Sequence, residues 1–85
     1  MMNGWWKKMN KAVLIKDNKE IKTIYSIKSV VANTKYGYFE ITQKLYHHDI
    51  ITIHRFSDVD RVELYKPDEN YHRYEKVPYK VIERE

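Results

Sequence analysis

The aliphatic residues of this chain are mostly β-branched, and that excess narrows the folds it can adopt. Nine isoleucines and seven valines stand against three leucines and two alanines. β-branched side chains lose χ1 freedom in a helix, whereas they pack well on the pleated surface of a sheet. Eight tyrosines also favour strands. Since 85 residues are enough for one domain, the sequence predicts a single all-β domain.

The clearest strand pattern lies in the middle of the chain. Residues 38–44 alternate between apolar and polar side chains, and residues 50–56 and 61–65 follow after short polar segments. Three strands with short connections predict an antiparallel meander that buries one face. We expect its core to contain six aliphatic or aromatic side chains: Phe39, Ile41, Ile51, Ile53, Val62 and Leu64.

Weaker strand patterns flank this region. Residues 12–16 and 20–24 predict a hairpin around an Asp-Asn turn, and residues 79–82 predict an edge strand after Pro78. Residues 25–32 fit a bent strand better than a helical turn. Gly37, in a turn over 33–37, is expected to have a positive φ or to form a bulge. Five to seven short strands predict a meander, a curled sheet, or a barrel of the SH3, OB or Sm size class.

The two ends of the chain differ in composition from the middle. Residues 1–10 form a Trp- and Lys-rich arm, and residues 11–85 form the β domain, with a tyrosine-rich segment at 67–85. Trp5 and Trp6 lie outside the strand patterns. Three placements stay open for them: packing onto the sheet, docking on a partner or second subunit, or contact with a membrane surface.

The residue types needed for catalysis are scarce. There is no cysteine, and two glycines in total exclude a glycine-rich phosphate loop. The four histidines are His47, His48, His54 and His72; the adjacent pair points to opposite faces in an extended chain, which disfavours a shared metal ion. We therefore expect no enzymatic activity, no metal and no cofactor.

Aromatic and basic residues suggest a binding surface instead. Interface hot spots are rich in Trp, Tyr and Arg, so the first hypothesis is a protein-interaction module that acts stoichiometrically. Lys, Ile, Asn and Tyr, whose codons are AT-rich, make up 34 of the 85 residues, a composition that suits a phage or mobile-element accessory protein occluding a host factor. The predicted contact residues are Trp5, Trp6, Tyr36, Tyr38, Tyr71 and Tyr74.

Nucleic-acid binding is the alternative, because residues 1–44 carry nine lysines against three acidic residues. Bases would stack on tyrosines, and phosphates would contact Lys7, Lys8, Lys11, Lys35 and Arg73. This hypothesis requires tyrosines and cations on one continuous stripe, whereas residues 45–85 carry nine acidic residues against seven basic ones. A third hypothesis is an oligomer that sequesters a small molecule or nucleotide between its subunits.

The sequence carries no apolar run of the ~18 residues that a membrane span requires, and its N-terminus lacks a secretory pattern. The absence of cysteine fits a reducing compartment. We expect a cytoplasmic protein. An open sheet of this size also leaves edge strands that can pair with a partner or a second copy, so homodimerisation is as compatible with the sequence as a monomer.

Overall fold

The computed structural model describes residues 9–70 and 72–84, which form six strands and no helix. Each neighbouring pair is antiparallel. The strand order across the sheet is β4-β3-β2-β1-β5-β6. The strands are β1 (Asn10–Lys16), β2 (Lys19–Asn33), β3 (Tyr38–Leu45), β4 (His48–Arg55), β5 (Arg61–Tyr65) and β6 (Lys80–Glu83).

The predicted all-β class is confirmed, and the sheet is curled and unclosed, with β4 and β6 at its two edges. Strands β1 to β4 form a continuous meander. The prediction that strand 61–65 extends the meander by pairing with strand 50–56 is wrong, because this strand, β5, pairs with β1. The connection after β4 buries Phe56 and Val59 in the core. It ends where the Asp60 N–H donates to the Ile15 carbonyl at 2.8 Å, which places β5 beside β1.

The long strand β2 gives the sheet its curl. Its first part, as far as Ile27, pairs with β1, and its remainder, from Ile27 to Asn33, pairs with β3. Ser26, with a φ of 57°, lies where the pairing changes, as expected for a bulge that bends a strand. The prediction of a bent strand over 25–32 is confirmed. The bend turns both ladders toward one core.

The core fills the inner face of this curled sheet. Phe39 and Phe56 lie with their ring centroids 5.1 Å apart, and the His54 ring stacks on Phe39 at 5.2 Å. Four of the six predicted core residues are confirmed as buried. The core cluster consists of Ala12, Leu14, Ile24, Ile27, Phe39, Ile41, Phe56, Val59, Val62 and Leu64.

The two other predicted core residues are on the opposite face. Ile51 and Ile53 are 60% and 65% exposed. The connection between β3 and β4 is a two-residue turn, Tyr46–His47, and the register that it sets places His54 opposite the buried Phe39. Residues paired across a ladder share a face, so the odd-numbered positions of β4 point away from the core. The prediction was wrong because apolar alternation alone placed the isoleucines at 51 and 53 inward, whereas the register with β3 puts the even-numbered positions on the core face.

Within the described part of the chain, no helix is long and apolar enough to cross a membrane.

Candidate functional site

The outer face of β2, β3 and β4, opposite the core, carries exposed apolar side chains in adjacent strands. Val31 pairs with Glu40, and Glu40 pairs with Ile53, so the two apolar residues flank one carboxylate. Val31 is 62% exposed, close to the values for Ile51 and Ile53. A cluster of exposed apolar side chains, unlike a single one, is typical of an interaction surface.

One end of the outer face is indented. The indentation, called the tyrosine cleft below, has a volume of about 340 Å³ and is open to solvent. Its walls combine two aromatic rings, one isoleucine, one cation and one carboxylate. It is lined by Tyr36, Gly37, Tyr38, Glu40, Ile53 and Arg55.

The turn between β2 and β3 builds the cleft. The Asn33 carbonyl accepts hydrogen bonds from Tyr36 N–H at 3.2 Å and Gly37 N–H at 2.9 Å. The Asn33 side-chain oxygen also accepts from Tyr36 N–H, at 3.2 Å. Gly37 has a φ of 77°, which confirms its predicted positive φ. The turn holds the 71%-exposed Tyr36 next to Tyr38, the first residue of β3.

Two cations border the cleft. The Lys35 ammonium lies 5.6 Å from the centroid of the Tyr36 ring, a cation–π distance. Arg55 lies across the ladder from Tyr38. Within residues 9–70 and 72–84, no hydrogen bond or ion pair involves the side chain of Glu40 or of Arg55. Both charged groups are therefore available to a bound molecule.

A second aromatic cluster lies at the start of β1. The Lys11 ammonium is 4.6 Å from the Tyr74 ring centroid and 5.3 Å from that of Tyr65. The ring centroids of Tyr25 and Tyr74 are 6.1 Å apart. Burial raises the pKa of Tyr74, and the nearby Tyr25 raises it by a smaller amount. Lys11 is thus held by the protein's own rings, which ties the tyrosine-rich C-terminal segment to the sheet.

The side chains of β5 extend this second cluster. Glu63 accepts from Arg61 Nε at 3.0 Å and from the Tyr65 hydroxyl at 2.8 Å. Burial opposes ionisation of Glu63, but the bonds from Tyr65 and Arg61 outweigh it and lower the pKa of the carboxyl. Burial and the bond to Glu63 raise the pKa of Tyr65. The charges in this ladder compensate one another, as in a structural network.

Arg73 belongs to the loop that precedes β6. Its Nε lies 3.4 Å from the Asp68 carboxylate. The same carboxylate accepts the backbone N–H groups of Asn70 at 3.1 Å and His72 at 3.3 Å. Arg73 thus contributes to the closure of its own loop.

The predicted site residues fall into two groups. Tyr36, Tyr38 and Lys35 meet at the tyrosine cleft, and Lys11 meets Tyr74 at the second cluster. Along β2, the position opposite Asn10 and the position opposite Tyr38 are Ile27 and Asn33, about 20 Å apart at ~3.3 Å per residue. Trp5, Trp6, Lys7, Lys8 and Tyr71 lie outside the described residues.

Sequence reasoning missed the non-tyrosine half of the cleft. Glu40 and Arg55 received no role, and Ile53 was expected in the core. The signal that identifies them is the length of the β3–β4 turn. A two-residue hairpin pairs Leu45 with His48, and counting back along the ladder then places Ile53 and Arg55 beside Glu40 and Tyr38.

Among the described residues, no three histidine, aspartate or glutamate side chains are grouped closely enough to hold a metal ion. In the comparisons with known proteins, no protein-family model, no curated protein and no solved structure matches this chain.

Proposed function

We propose that this protein is a non-catalytic binding module that acts by stoichiometric protein–protein interaction, with the tyrosine cleft as its contact surface. The observation that carries the proposal is that exposed Tyr36 and Ile53 line one cleft with the uncompensated Arg55, while exposed Val31 lies across Glu40 from Ile53. Tyrosine and arginine dominate interface hot spots because they bury a large area at a small entropic cost. The module works by covering the surface of its partner.

The charges around the cleft indicate the chemistry of the partner. The whole chain carries a net charge of +4. At the cleft, the two cations Lys35 and Arg55 stand beside a single carboxylate, Glu40. A partner segment with an apolar side chain between carboxylates would fill the space beside Ile53 and pair with both cations. Complementary charge of this kind accelerates the encounter and fixes the orientation of binding.

The placement of the basic residues favours a protein over a nucleic acid. A single strand stacks successive bases along a continuous groove of cations and rings. Here the two described aromatic clusters are separated by about 20 Å along β2, and Lys11 is already engaged by Tyr65 and Tyr74.

The test begins with capture of a partner from lysate of the source cells, followed by titration of the purified partner in a calorimeter. We expect a one-to-one complex. The double variant Tyr36→Ala, Tyr38→Ala should weaken it by roughly thirtyfold, since hot-spot side chains contribute about 2 kcal/mol or more. Tyr79→Ala is the matched control, because Tyr79 is also exposed but lies beside β6; it should leave the affinity unchanged.

Two results would contradict the proposal. One is an affinity that the double variant leaves at the wild-type value. The other comes from fluorescence anisotropy with labelled DNA and RNA at low and moderate salt. Tight binding that falls steeply with salt and is weakened by Lys35→Ala would assign the surface to phosphate contacts instead.

A further inference from the structure

The edges of this sheet are not equally protected against pairing with another strand. Edge β6 has four residues, includes Lys80 and Glu83, and follows Pro78. The first half of β2 pairs with β1 but not with β3, so one side of it is also an open edge. This half carries lysines and ends at the bulge around Ser26. Short length, charge, proline and bulges are the features by which proteins prevent edge pairing.

Strand β4 has none of these protections along its centre. It has eight residues in an uninterrupted register with β3. Its central sequence, Ile-Ile-Thr-Ile over 50–53, contains no charge, proline or glycine. A long, regular and apolar edge of this kind favours the addition of another strand.

The residues that would form such a pairing can be identified. The Phe56 N–H donates to the Gly37 carbonyl at 2.9 Å, so even-numbered positions at this edge direct their backbone groups toward β3. Antiparallel strands alternate in this respect. The odd-numbered positions, Asp49, Ile51, Ile53 and Arg55, therefore direct their N–H and C=O groups to the open side. The Arg55 carbonyl already accepts from the Asp58 N–H at 2.9 Å, so Arg55 offers its N–H to a second strand.

The side chains of these four residues are complementary to those of the same four residues in a second, antiparallel copy. Two antiparallel copies of β4 must pair odd positions with odd positions, which limits the registers to steps of two. When Thr52 meets Thr52 of the second copy, Asp49 lies opposite Arg55 and Ile51 lies opposite Ile53, each twice by symmetry. A shift of two residues in either direction places a charged residue opposite an isoleucine. Opposite charges and β-branched pairs stabilise an antiparallel ladder.

We propose that the protein forms a two-fold symmetric homodimer in which β4 pairs antiparallel with β4 of a second copy, centred on Thr52. Because the Arg55 carbonyl is already bonded to Asp58, the four outward residues of each copy form about six backbone hydrogen bonds between the two copies. Ile51 and Ile53 of both copies join in one apolar cluster on the outer face, and the interface is isologous. The pairing uses Ile53 and Arg55, which also line the tyrosine cleft. It does not use Tyr36 or Tyr38, so variants of these two tyrosines test the protein partner separately from the dimer.

The flanking charges suit this interface. Asp49 already accepts from Lys28 Nζ through Oδ2 at 2.8 Å, which leaves Oδ1 for the second copy's arginine. Arg55 has no partner among the described residues. The dimer thus supplies a counter-charge to Arg55 without breaking an existing ion pair.

Sedimentation of complementary charge variants tests the register. Asp49→Arg alone and Arg55→Asp alone each place like charges opposite one another, so each should be monomeric at concentrations where the wild type is a dimer. Mixed in equal amounts, the two variants should form a heterodimer, because each interface then contains two opposite-charge pairs. Lys80→Asp inverts a charge on the other edge, β6, and should leave the dimer unchanged. Circular dichroism checks that every variant is folded.

A disulfide gives a second measurement that does not depend on these variants. The chain has no cysteine, so Thr52→Cys introduces one thiol at the two-fold axis. Its partner would lie at a non-hydrogen-bonded pair, with Cα atoms about 4.5 Å apart, inside the range of a disulfide. Mild oxidation should link Thr52→Cys dimers within minutes. Ile50→Cys is the control on the same strand face; its two copies would be four residues out of register, which is too far to link.

Three results would overturn the proposal: a wild type that sediments as a monomer at about 200 µM (roughly two hundredfold above a Kd of 1 µM), a dimer that all charge variants leave intact, or linkage of Ile50→Cys as readily as Thr52→Cys. Failure of Tyr36→Ala, Tyr38→Ala to affect partner binding would bear on the proposed function alone.

Discussion

At the scale of single residues, packing against the core changes the pKa of His54. Its ring stacks on Phe39 at 5.2 Å, and its Nε2 lies 3.0 Å from Thr52 Oγ1. Burial lowers the pKa of His54, and the positive charge of Lys22 adds to the effect. The folded protein therefore favours the neutral imidazole, whereas the unfolded chain titrates near the ordinary value of about 6.5.

This shift has a defined sign in stability. Between the lowered pKa of folded His54 and about 6.5, the unfolded chain binds more protons, so the free energy of unfolding rises with pH. We expect the wild type to lose stability on acidification from pH 7.5 to 5, and His54→Gln to lose less. Urea unfolding at both values measures this, with His47→Gln in the exposed turn as the control. Equal losses in the wild type and His54→Gln would show that His54 does not titrate on unfolding.

At the scale of elements, turn length decides more than strand composition does. The strand pattern of β4 correctly predicts a strand, and its two isoleucines at odd positions favour burial of the odd face. The two-residue turn Tyr46–His47 reverses that choice by setting the register with β3. The residues that line the cleft from β4 are there because of this turn.

The turn that carries Tyr36 provides a test at this scale. Gly37 has a φ of 77°, and a Cβ added there would contact no atom within 4 Å. Gly37→Ala should therefore lose about 1 kcal/mol of unfolding free energy through backbone strain alone. Gly37→Asn should lose less, because asparagine tolerates the left-handed region.

Urea denaturation of both variants measures the difference. A loss for Asn equal to that for Ala would indicate that the strain of the left-handed backbone is not what selects glycine at this position.

At the scale of the whole molecule, one curled sheet must supply its own core. The inner faces of both ladders close on a single cluster in which Phe39 is fully buried. A domain of 85 residues has a free energy of unfolding of roughly 4–13 kcal/mol. Because the core is single, each large side chain in it accounts for a substantial part of that stability.

Phe39→Ala should therefore remove about 3–5 kcal/mol, through lost burial and the cavity left beside Phe56. At roughly 4–8 °C per kcal/mol for a domain of this size, the Tm should fall by more than about 10 °C. Val31→Ala, at an exposed position on β2, should cost less than about 1 kcal/mol. Thermal unfolding followed by circular dichroism compares them; similar losses for both variants would contradict the assignment of Phe39 to the core.

The sequence by itself determined the all-β class, the bend in β2, the positive φ of Gly37, the edge strand at the C-terminus, and the burial of Phe39, Ile41, Val62 and Leu64. These follow from local preferences of side chains and backbone. Only the tertiary structure decided which face of β4 is buried, that β5 pairs with β1, and that Tyr36 and Tyr38 form a cleft apart from the cluster of Tyr25, Tyr65 and Tyr74. Alternation with a period of two shows which residues share a face, but the register and the pairing of distant strands determine which face meets the core.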